Sequence, residues 1–208
     1  MSEGSSVHAA RTLLEDKSAL AFRVSPALAS ASGDEPTLIL VPAAPGSDEA
    51  LLQTIREAGW GGETISLLPP RAIFFGIEHR GFCWFHMAER EAIEPTSFGD
   101  SLWQLERFVL DRLQEAPSTK ALVLIGVDDG AALVQAAIPY LHDRIAAAIA
   151  INGYLPSASW WAPPRVDLRG LPVLLIRGAR VEVENALGEA LRTWHGLNRA
   201  EASRSEPQ

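Results

Sequence analysis

One segment constrains the fold of this chain more than any other. In residues 124–132 a buried apolar run meets a tight turn and then an alanine-rich helical pattern. Gly126-x-Asp128-x-Gly130 places one glycine on each side of a central aspartate. Glycine leaves room where a strand turns sharply into a helix, and the residue between two such glycines can take a strained backbone conformation. The segment therefore predicts a strand–turn–helix unit that presents the Asp128 side chain at a helix N-terminus.

Around this unit, apolar runs typical of buried strands alternate with amphipathic helical patterns. Strands are predicted over residues 19–24, 37–41, 63–68, 121–125, 146–151 and 172–176. Helices are predicted over residues 48–58, 100–115, 129–141 and 183–194. Residues 71–98 show no clean period and are interpreted as a long excursion. The alternation predicts an α/β fold with a mostly parallel, doubly wound sheet and helices on both faces. We expect a single domain over residues 1–208, with flexible ends at 1–15 and 199–208.

Composition excludes several classes of partner. The 208-residue chain carries a formal net charge of -8, and an acidic surface disfavours nucleic acid, because phosphate contacts need clustered lysine and arginine. No apolar run is long enough to predict a membrane span, and the polar N-terminus does not resemble a signal peptide. The single cysteine, Cys83, excludes an internal disulfide and a cysteine-based zinc site. We therefore expect a cytoplasmic protein with no metal and no cofactor.

The glycine spacing also matches the nucleophile elbow G-x-S-x-G in all but its central residue. Asp128 stands where that motif has its serine, and the context of strand, turn and helix is the right one. A simpler interpretation is that Asp128 or Asp129 only caps the following helix, as aspartate often does.

Several further segments, in the right order, resemble the phospholipase/carboxylesterase family of α/β-hydrolases, the acyl-protein thioesterase-like esterases. Residues 43–49 stand where that family has H-G-x-G-x-(D/E), and Pro69-Pro70-Arg71 resembles its proline-rich strand exit. Trp84-Phe85 resembles its W-F-D element, residues 152–156 its S-G-x-L-P turn, and residues 171–178 its P-V-L-x-x-H-G strand. The resemblance implies an α/β-hydrolase fold over nearly the whole chain, and family members are often dimeric.

The resemblance also implies that the family's catalytic residues are missing. The nucleophilic serine falls on Asp128 and the catalytic acid on Val181, with Glu182 and Glu184 displaced from it. In the family, the catalytic histidine follows one more strand after the catalytic acid. This sequence has no histidine at the corresponding position, because His195 falls too early. Relative to the family the chain is therefore expected to be shortened at its carboxyl end.

The family's oxyanion hole is affected in the same way. Its first N–H falls on Pro45, next to Gly46, and proline has no N–H to donate. Its second N–H falls on Asp129, beside the carboxylate of Asp128. An oxyanion donor commonly supplies roughly 3–4 kcal/mol of transition-state stabilisation, whereas two carboxylates would repel an anionic intermediate. Trp84 and Phe85 are candidates to line the same cleft.

Three hypotheses for function follow. In the first, the chain is a catalytically silent member of the family, a binding or interaction protein that pairs with itself or with an active paralogue. In the second, Asp128 acts as nucleophile or acid/base on a small apolar ester-like substrate, as in haloalkane dehalogenases and epoxide hydrolases, and His86 or His195 assists. The third is a lyase or cyclase using the same apolar cleft.

Two adjacent tryptophans bear on the first hypothesis. Trp160 and Trp161 are candidates for an interface with a partner or a small apolar ligand, because exposed aromatic side chains often mark interfaces. The alternative is that their loop folds back onto its own domain.

Overall fold

A computed structural model of the chain describes residues 7–8, 20–27, 35–43, 48–75, 78–87, 92–115, 121–156, 160–179, 182 and 185–193. The strands are β1 (Val7–His8), β2 (Phe22–Ser25), β3 (Thr37–Val41), β4 (Thr64–Leu67), β5 (Arg71–Phe75), β6 (Glu78–Cys83), β7 (Leu122–Val127), β8 (Ala147–Ile151) and β9 (Val173–Ile176). The helices are α1 (Asp48–Glu57), α2 (Pro95–Glu115) and α3 (Asp129–Leu141). Residues 185–193 form a further helical segment.

Seven strands form one sheet in the order β1-β2-β4-β3-β7-β8-β9. Within this sheet, β4, β3, β7, β8 and β9 pair in parallel. β1 and β2 add an antiparallel edge beside β4. Strands β3, β4 and β8 are buried along their whole length, as expected when helices cover both faces of a parallel sheet. The predicted α/β class and the mostly parallel sheet are therefore confirmed.

Two hydrophobic cores lie on opposite faces of the sheet. One, which we call the main core, is formed with α2 and α3 and contains the largest buried aromatic side chains, Trp84, Phe85 and Phe98. The other is formed with α1 and the helical segment 185–193, which contributes Leu187 and Leu191. Because each face is covered by helices, the carboxyl ends of the parallel strands are left as the open edge where such folds place ligands.

The excursion predicted over residues 71–98 is more regular than its sequence suggests. Strands β5 and β6 pair as an antiparallel hairpin that is separate from the main sheet. The Arg71 guanidinium fixes the base of this hairpin, because it donates to the Trp84 carbonyl and to the Ser101 hydroxyl and forms an ion pair with Asp100 on α2. The hairpin therefore holds the Trp84 segment against the main core.

The predicted start of helix α2 at Asp100 or Ser101 is wrong, because the helix begins at Pro95. Proline suits the first helical position, where its missing N–H would have no helical partner. The Glu94 carboxylate accepts hydrogen bonds from the N–H groups of Thr96, at 2.9 Å, and Ser97, at 2.7 Å. Hydrogen bonds from Ser97 and Thr96 lower the pKa of Glu94 to about 2.

This capping interaction predicts an acid-dependent loss of stability. Because the folded pKa is below the ordinary 4.5, ionised Glu94 stabilises the fold above that pH, and the contribution disappears as the pH falls toward about 2. We expect Glu94→Gln, which keeps the size and one acceptor, to melt below the wild type near neutral pH and to converge with it in acid. Thermal unfolding over this pH range measures the difference. A difference that is independent of pH would contradict the assignment.

Candidate functional site at the Asp128 turn

The strand–turn–helix unit predicted over residues 124–132 is present, and we refer to its turn, residues 126–130, as the elbow. Strand β7 ends at Val127 and helix α3 starts at Asp129, so Asp128 alone connects them. Asp128 has φ 48° and ψ -112°, a backbone conformation that residues with a Cβ rarely adopt. Its N–H donates to the Ile151 carbonyl at 2.8 Å, and its own carbonyl accepts from Ala132 N–H. The strained residue is therefore held from both the neighbouring strand and the helix.

The two elbow glycines are required by close backbone approach. A Cβ at Gly126 would lie 2.6 Å from the Ala131 Cα and from the Gly130 carbonyl oxygen. A Cβ at Gly130 would lie 2.1 Å from the Val41 carbonyl oxygen at the end of β3. These are backbone atoms, which cannot rotate away as a side chain could. The two glycines thus allow the backbones of β7, α3 and β3 to come into close contact next to Asp128.

The Asp128 carboxylate is presented to solvent rather than used as a helix cap. Asp128 occupies the N-cap position of α3 but makes no capping hydrogen bond with its side chain. Partial burial, and secondarily the neighbouring Asp129 carboxylate, raise the pKa of Asp128. Since the folded state holds this proton more tightly, Asp128 favours folding at acidic pH, and that contribution is lost as the pH rises through the raised pKa. The simple capping interpretation therefore does not account for this side chain.

Asp129 points toward a partly buried phenol, that of Tyr154. The Tyr154 hydroxyl donates a hydrogen bond of 2.6 Å to Asp129 Oδ1. Burial, together with this hydrogen bond, raises the pKa of Tyr154, so the phenol stays protonated and acts as a donor. The Tyr154 ring in turn packs edge-on against Phe85, with centroids 6.4 Å apart. The second carboxylate of the elbow is therefore tied to the aromatic core, while that of Asp128 is not.

His86, a candidate assistant of Asp128, has a different neighbour. Its Nδ1 lies 3.9 Å from Cys83 Sγ, and its backbone N–H donates to Ser97 Oγ. Cys83 is itself buried, and burial raises the pKa of its thiol, which disfavours the reactive thiolate. His195, the other candidate, lies outside the described residues. Within the described part of the chain, no imidazole hydrogen-bonds to Asp128.

The remaining cleft candidates fall into two groups. Pro45 and Gly46 lie outside the described residues. Trp84 and Phe85 are almost fully buried, and Trp84 Nε1 donates to the Pro42 carbonyl at 2.7 Å. The Pro42 carbonyl oxygen also lies 2.8 Å from the place of a Cβ at Gly130, so Trp84 lies next to the elbow, while Phe85 contacts Tyr154. The side chains of Trp84 and Phe85 are packed into the main core instead of standing free in a cleft.

One feature of the site was missed in the sequence. Asn152 has a positive φ of 54°, and its side-chain amide exchanges two hydrogen bonds with the backbone of Gly178, at 3.1 and 3.3 Å. Arg177 adds a bond to the Gly153 carbonyl. The loops after β8 and β9 are thereby tied together beside the elbow. Glu182, near the position of the family's acid, accepts from the Ala179 N–H, so its carboxylate is used locally.

The tryptophan pair packs partly onto its own domain. Trp160 makes an edge-on contact with Phe98, with centroids 5.7 Å apart, and both Trp160 and Trp161 pack against the main core while keeping partial exposure. An interface role for them stays a prediction. Among the described residues there is no cluster of three or more histidine, cysteine or acidic side chains that could hold a metal ion. No helix in the described part of the chain is long and apolar enough to cross a membrane.

This combination of a parallel sheet, an elbow after its central strand and helices on both faces defines the α/β-hydrolase fold. The carboxylesterase from Mesorhizobium loti is similar with a TM-score of 0.61, over 88% of this chain and 82% of its own, at 20% identity. The Bacillus cereus carboxylesterase has a TM-score of 0.59, over 83% and 81%, at 14% identity. Esterase PE8 has a TM-score of 0.58, over 85% of this chain and 85% of its own, at 20% identity.

No family model and no curated protein matches the sequence. At identities of 20% or less, the structural likeness establishes the fold and leaves the chemistry to the site itself. The α/β-hydrolase fold implied by the resemblance to carboxylesterases and phospholipases is thus confirmed.

Proposed function

We propose that this protein keeps the α/β-hydrolase fold as a scaffold for binding or interaction and does not act as a serine hydrolase. The observation that carries the proposal is the elbow itself. The central elbow position, where the G-x-S-x-G motif has its serine, holds the Asp128 carboxylate, and Asp129 places a second carboxylate at the next residue. Acyl transfer builds negative charge at this point, and the known catalysts stabilise it with N–H donors. Two carboxylates would destabilise the same charge.

The surroundings of Asp128 support the proposal further. A serine hydrolase needs an imidazole within hydrogen-bond reach of its elbow side chain. Here the His86 imidazole is paired with Cys83 instead. The Asp129 carboxylate is already engaged by Tyr154. In this proposal the protein is cytoplasmic, and the elbow region binds a small apolar ligand or the chain interacts with itself or an active paralogue.

A second candidate function is supported by the strain at Asp128. A positive φ at a residue other than glycine often marks a functional position, because the fold must hold it there at a cost. A carboxyl with a raised pKa can also act as a general acid. In this alternative Asp128 works as nucleophile or acid/base on a small ester-like substrate, assisted by His86 or His195.

Labelling and turnover separate the two candidates. We expect the wild type to show no labelling by a fluorophosphonate probe and no hydrolysis of short p-nitrophenyl esters above the buffer rate. Asp128→Ser, which restores the hydroxyl, should also remain unlabelled, because the elbow still lacks a base and Asp129 still repels the oxyanion. An active carboxylesterase serves as the positive control.

Two outcomes would contradict the proposal. Labelling of Asp128→Ser would mean that the rest of the machinery persists around the elbow. Ester turnover by the wild type that disappears in Asp128→Asn, with the fold intact by circular dichroism, would favour the catalytic alternative.

A further inference from the structure

The far edge of the sheet, away from β1, is unusually apolar for an exposed strand. Among the strands that the structure describes, β9 stands at this end of the sheet, and Val173, Leu174 and Leu175 are 38%, 37% and 61% exposed. A strand in a parallel sheet is normally covered on both faces, and natural edge strands are protected by charges, prolines or bulges. Within β9 none of these devices is present, since its four residues are Val-Leu-Leu-Ile. An edge of this kind readily pairs with another strand.

The backbone of β9 is oriented for such pairing. The even-numbered positions face β8, since the Pro172 carbonyl accepts from Ala148 N–H and the Ile176 carbonyl accepts from Asn152 N–H. By the alternation of a β-strand, Val173 and Leu175 direct their N–H and C=O groups away from the sheet. No strand among the described residues pairs with this side of β9.

An apolar groove accompanies the edge on one face. It has a volume of about 560 Å³ and lies between β8, β9 and the helical segment 185–193. Its lining includes Ala147, Val173, Leu174, Ala190 and Glu189. Ala147 and Val173 begin their strands, whereas the elbow lies beyond the carboxyl ends. The groove is therefore separate from the Asp128 site.

We propose that this edge is the interface with a second copy of the same chain. An antiparallel strand pair related by a two-fold axis is self-complementary, which is the usual geometry of homodimers. Val173 of one copy would exchange both backbone hydrogen bonds with Leu175 of the other, and the axis would pass between the two Leu174 residues. The two seven-stranded sheets would join into one continuous sheet.

Charge on the neighbouring helix fits the same partner. Glu189 lines the groove, and Arg192 is exposed one turn further along. The two-fold axis brings the helical segments of both copies together in opposite directions. Glu189 of each copy then approaches Arg192 of the other, an arrangement in which opposite charges face each other. A foreign partner would have to supply both charges independently.

This inference deepens the interaction role in the proposed function and names its surface. Because the β9 edge and the elbow are separate, the two can fail separately. Absence of self-association would remove the dimer while leaving the labelling result at Asp128 unaffected, and ester turnover would remove the non-catalytic role while leaving the dimer unaffected.

Light scattering after size-exclusion chromatography is the first test. We expect the wild type to approach twice the monomer mass of 22.5 kDa as concentration rises, since a short strand pair gives an interface at the small, weak end of the range. Leu175→Lys should stay monomeric, because a charge on an edge strand opposes pairing. Leu155→Lys is the matched control, with Leu155 56% exposed beyond the end of β8, and should associate like the wild type.

Cysteine cross-linking tests the register. The two Leu174 residues would form a non-hydrogen-bonded antiparallel pair with Cα atoms about 4.5 Å apart, within the range of about 4.4–6.8 Å that a disulfide spans. Mild oxidation should convert Leu174→Cys into a covalent dimer, whereas Leu168→Cys, at a site of similar exposure (39%), should remain monomeric. A wild type that stays monomeric at every concentration, or equal cross-linking of both variants, would overturn the proposal.

Discussion

Gly130→Ala is expected to lower the free energy of unfolding by about 3 kcal/mol, the upper end of the usual cost of overpacking. The added methyl group would lie 2.1 Å from the Val41 carbonyl oxygen and 2.7 Å from its carbon. Either α3 moves away from the sheet or the end of β3 shifts, and both changes disturb the buried packing under the elbow. We expect an intact but much less stable protein, or one that fails to accumulate.

Gly99→Ala provides the matched control for this prediction. Gly99 lies within helix α2, and a Cβ there meets nothing within 4 Å. Alanine has the higher helix propensity, so this substitution should raise the free energy of unfolding by about 0.5–1 kcal/mol. Chemical denaturation of the three proteins measures both changes. Equal small effects at the two positions would show that α3 does not meet β3 as closely as described.

Asp128→Gly is expected to stabilise the protein relative to Asp128→Ala. Both variants lack the carboxylate, but only glycine adopts φ 48° and ψ -112° without steric strain. Relief of strain of roughly 1–3 kcal/mol is partly offset by the greater flexibility of glycine in the unfolded chain, roughly 0.5–1 kcal/mol. The glycine variant should therefore be the more stable of the two, by up to roughly 2.5 kcal/mol.

The comparison between these two variants isolates the backbone from the charge. Denaturation midpoints at one pH are sufficient, because neither variant titrates at residue 128. If Asp128→Ala proved as stable as Asp128→Gly, the turn would not be strained, and the main local argument that Asp128 is held for a purpose would be lost.

The elbow could be predicted from the sequence because its signal is local. Gly126, Asp128 and Gly130 stand within five consecutive residues, and the apolar run before them and the alanines after them indicate the flanking strand and helix. The buried strands β3, β7 and β8 were predictable for the same reason, since each is a continuous apolar run.

The hairpin β5–β6 was not predicted, because its pattern is obscured. Charged residues occupy its second strand, as Glu78-His79-Arg80 shows, and the pairing shifts register between Ile73 and Phe74. The start of α2 was placed too late because Asp100 and Ser101 are themselves good capping residues for the apolar stripe that follows. Pro95 after Glu94 was the available signal for the true start.

The contacts that define the chemistry of the site are long-range, and no local pattern indicates them. Tyr154 reaches Asp129 from 25 residues away, and Asn152 reaches Gly178 across 26 residues. The pairing of His86 with Cys83 is close in sequence but depends on the hairpin, which was itself unpredicted. These contacts decide which carboxylate of the elbow is engaged and which is presented.

The sign of the pKa shift at Asp128 tests the central claim most directly. An NMR titration can follow the Asp128 carboxyl resonance together with the histidine rings. An unpartnered carboxyl beside Asp129 should titrate above the ordinary aspartate value of 3.8, without any coupled step on an imidazole. A carboxylate paired with a histidinium, from His86, His195 or any other position, would instead have a lowered pKa and share a titration with the ring. That result would contradict the claim that the elbow presents a carboxylate without a catalytic base.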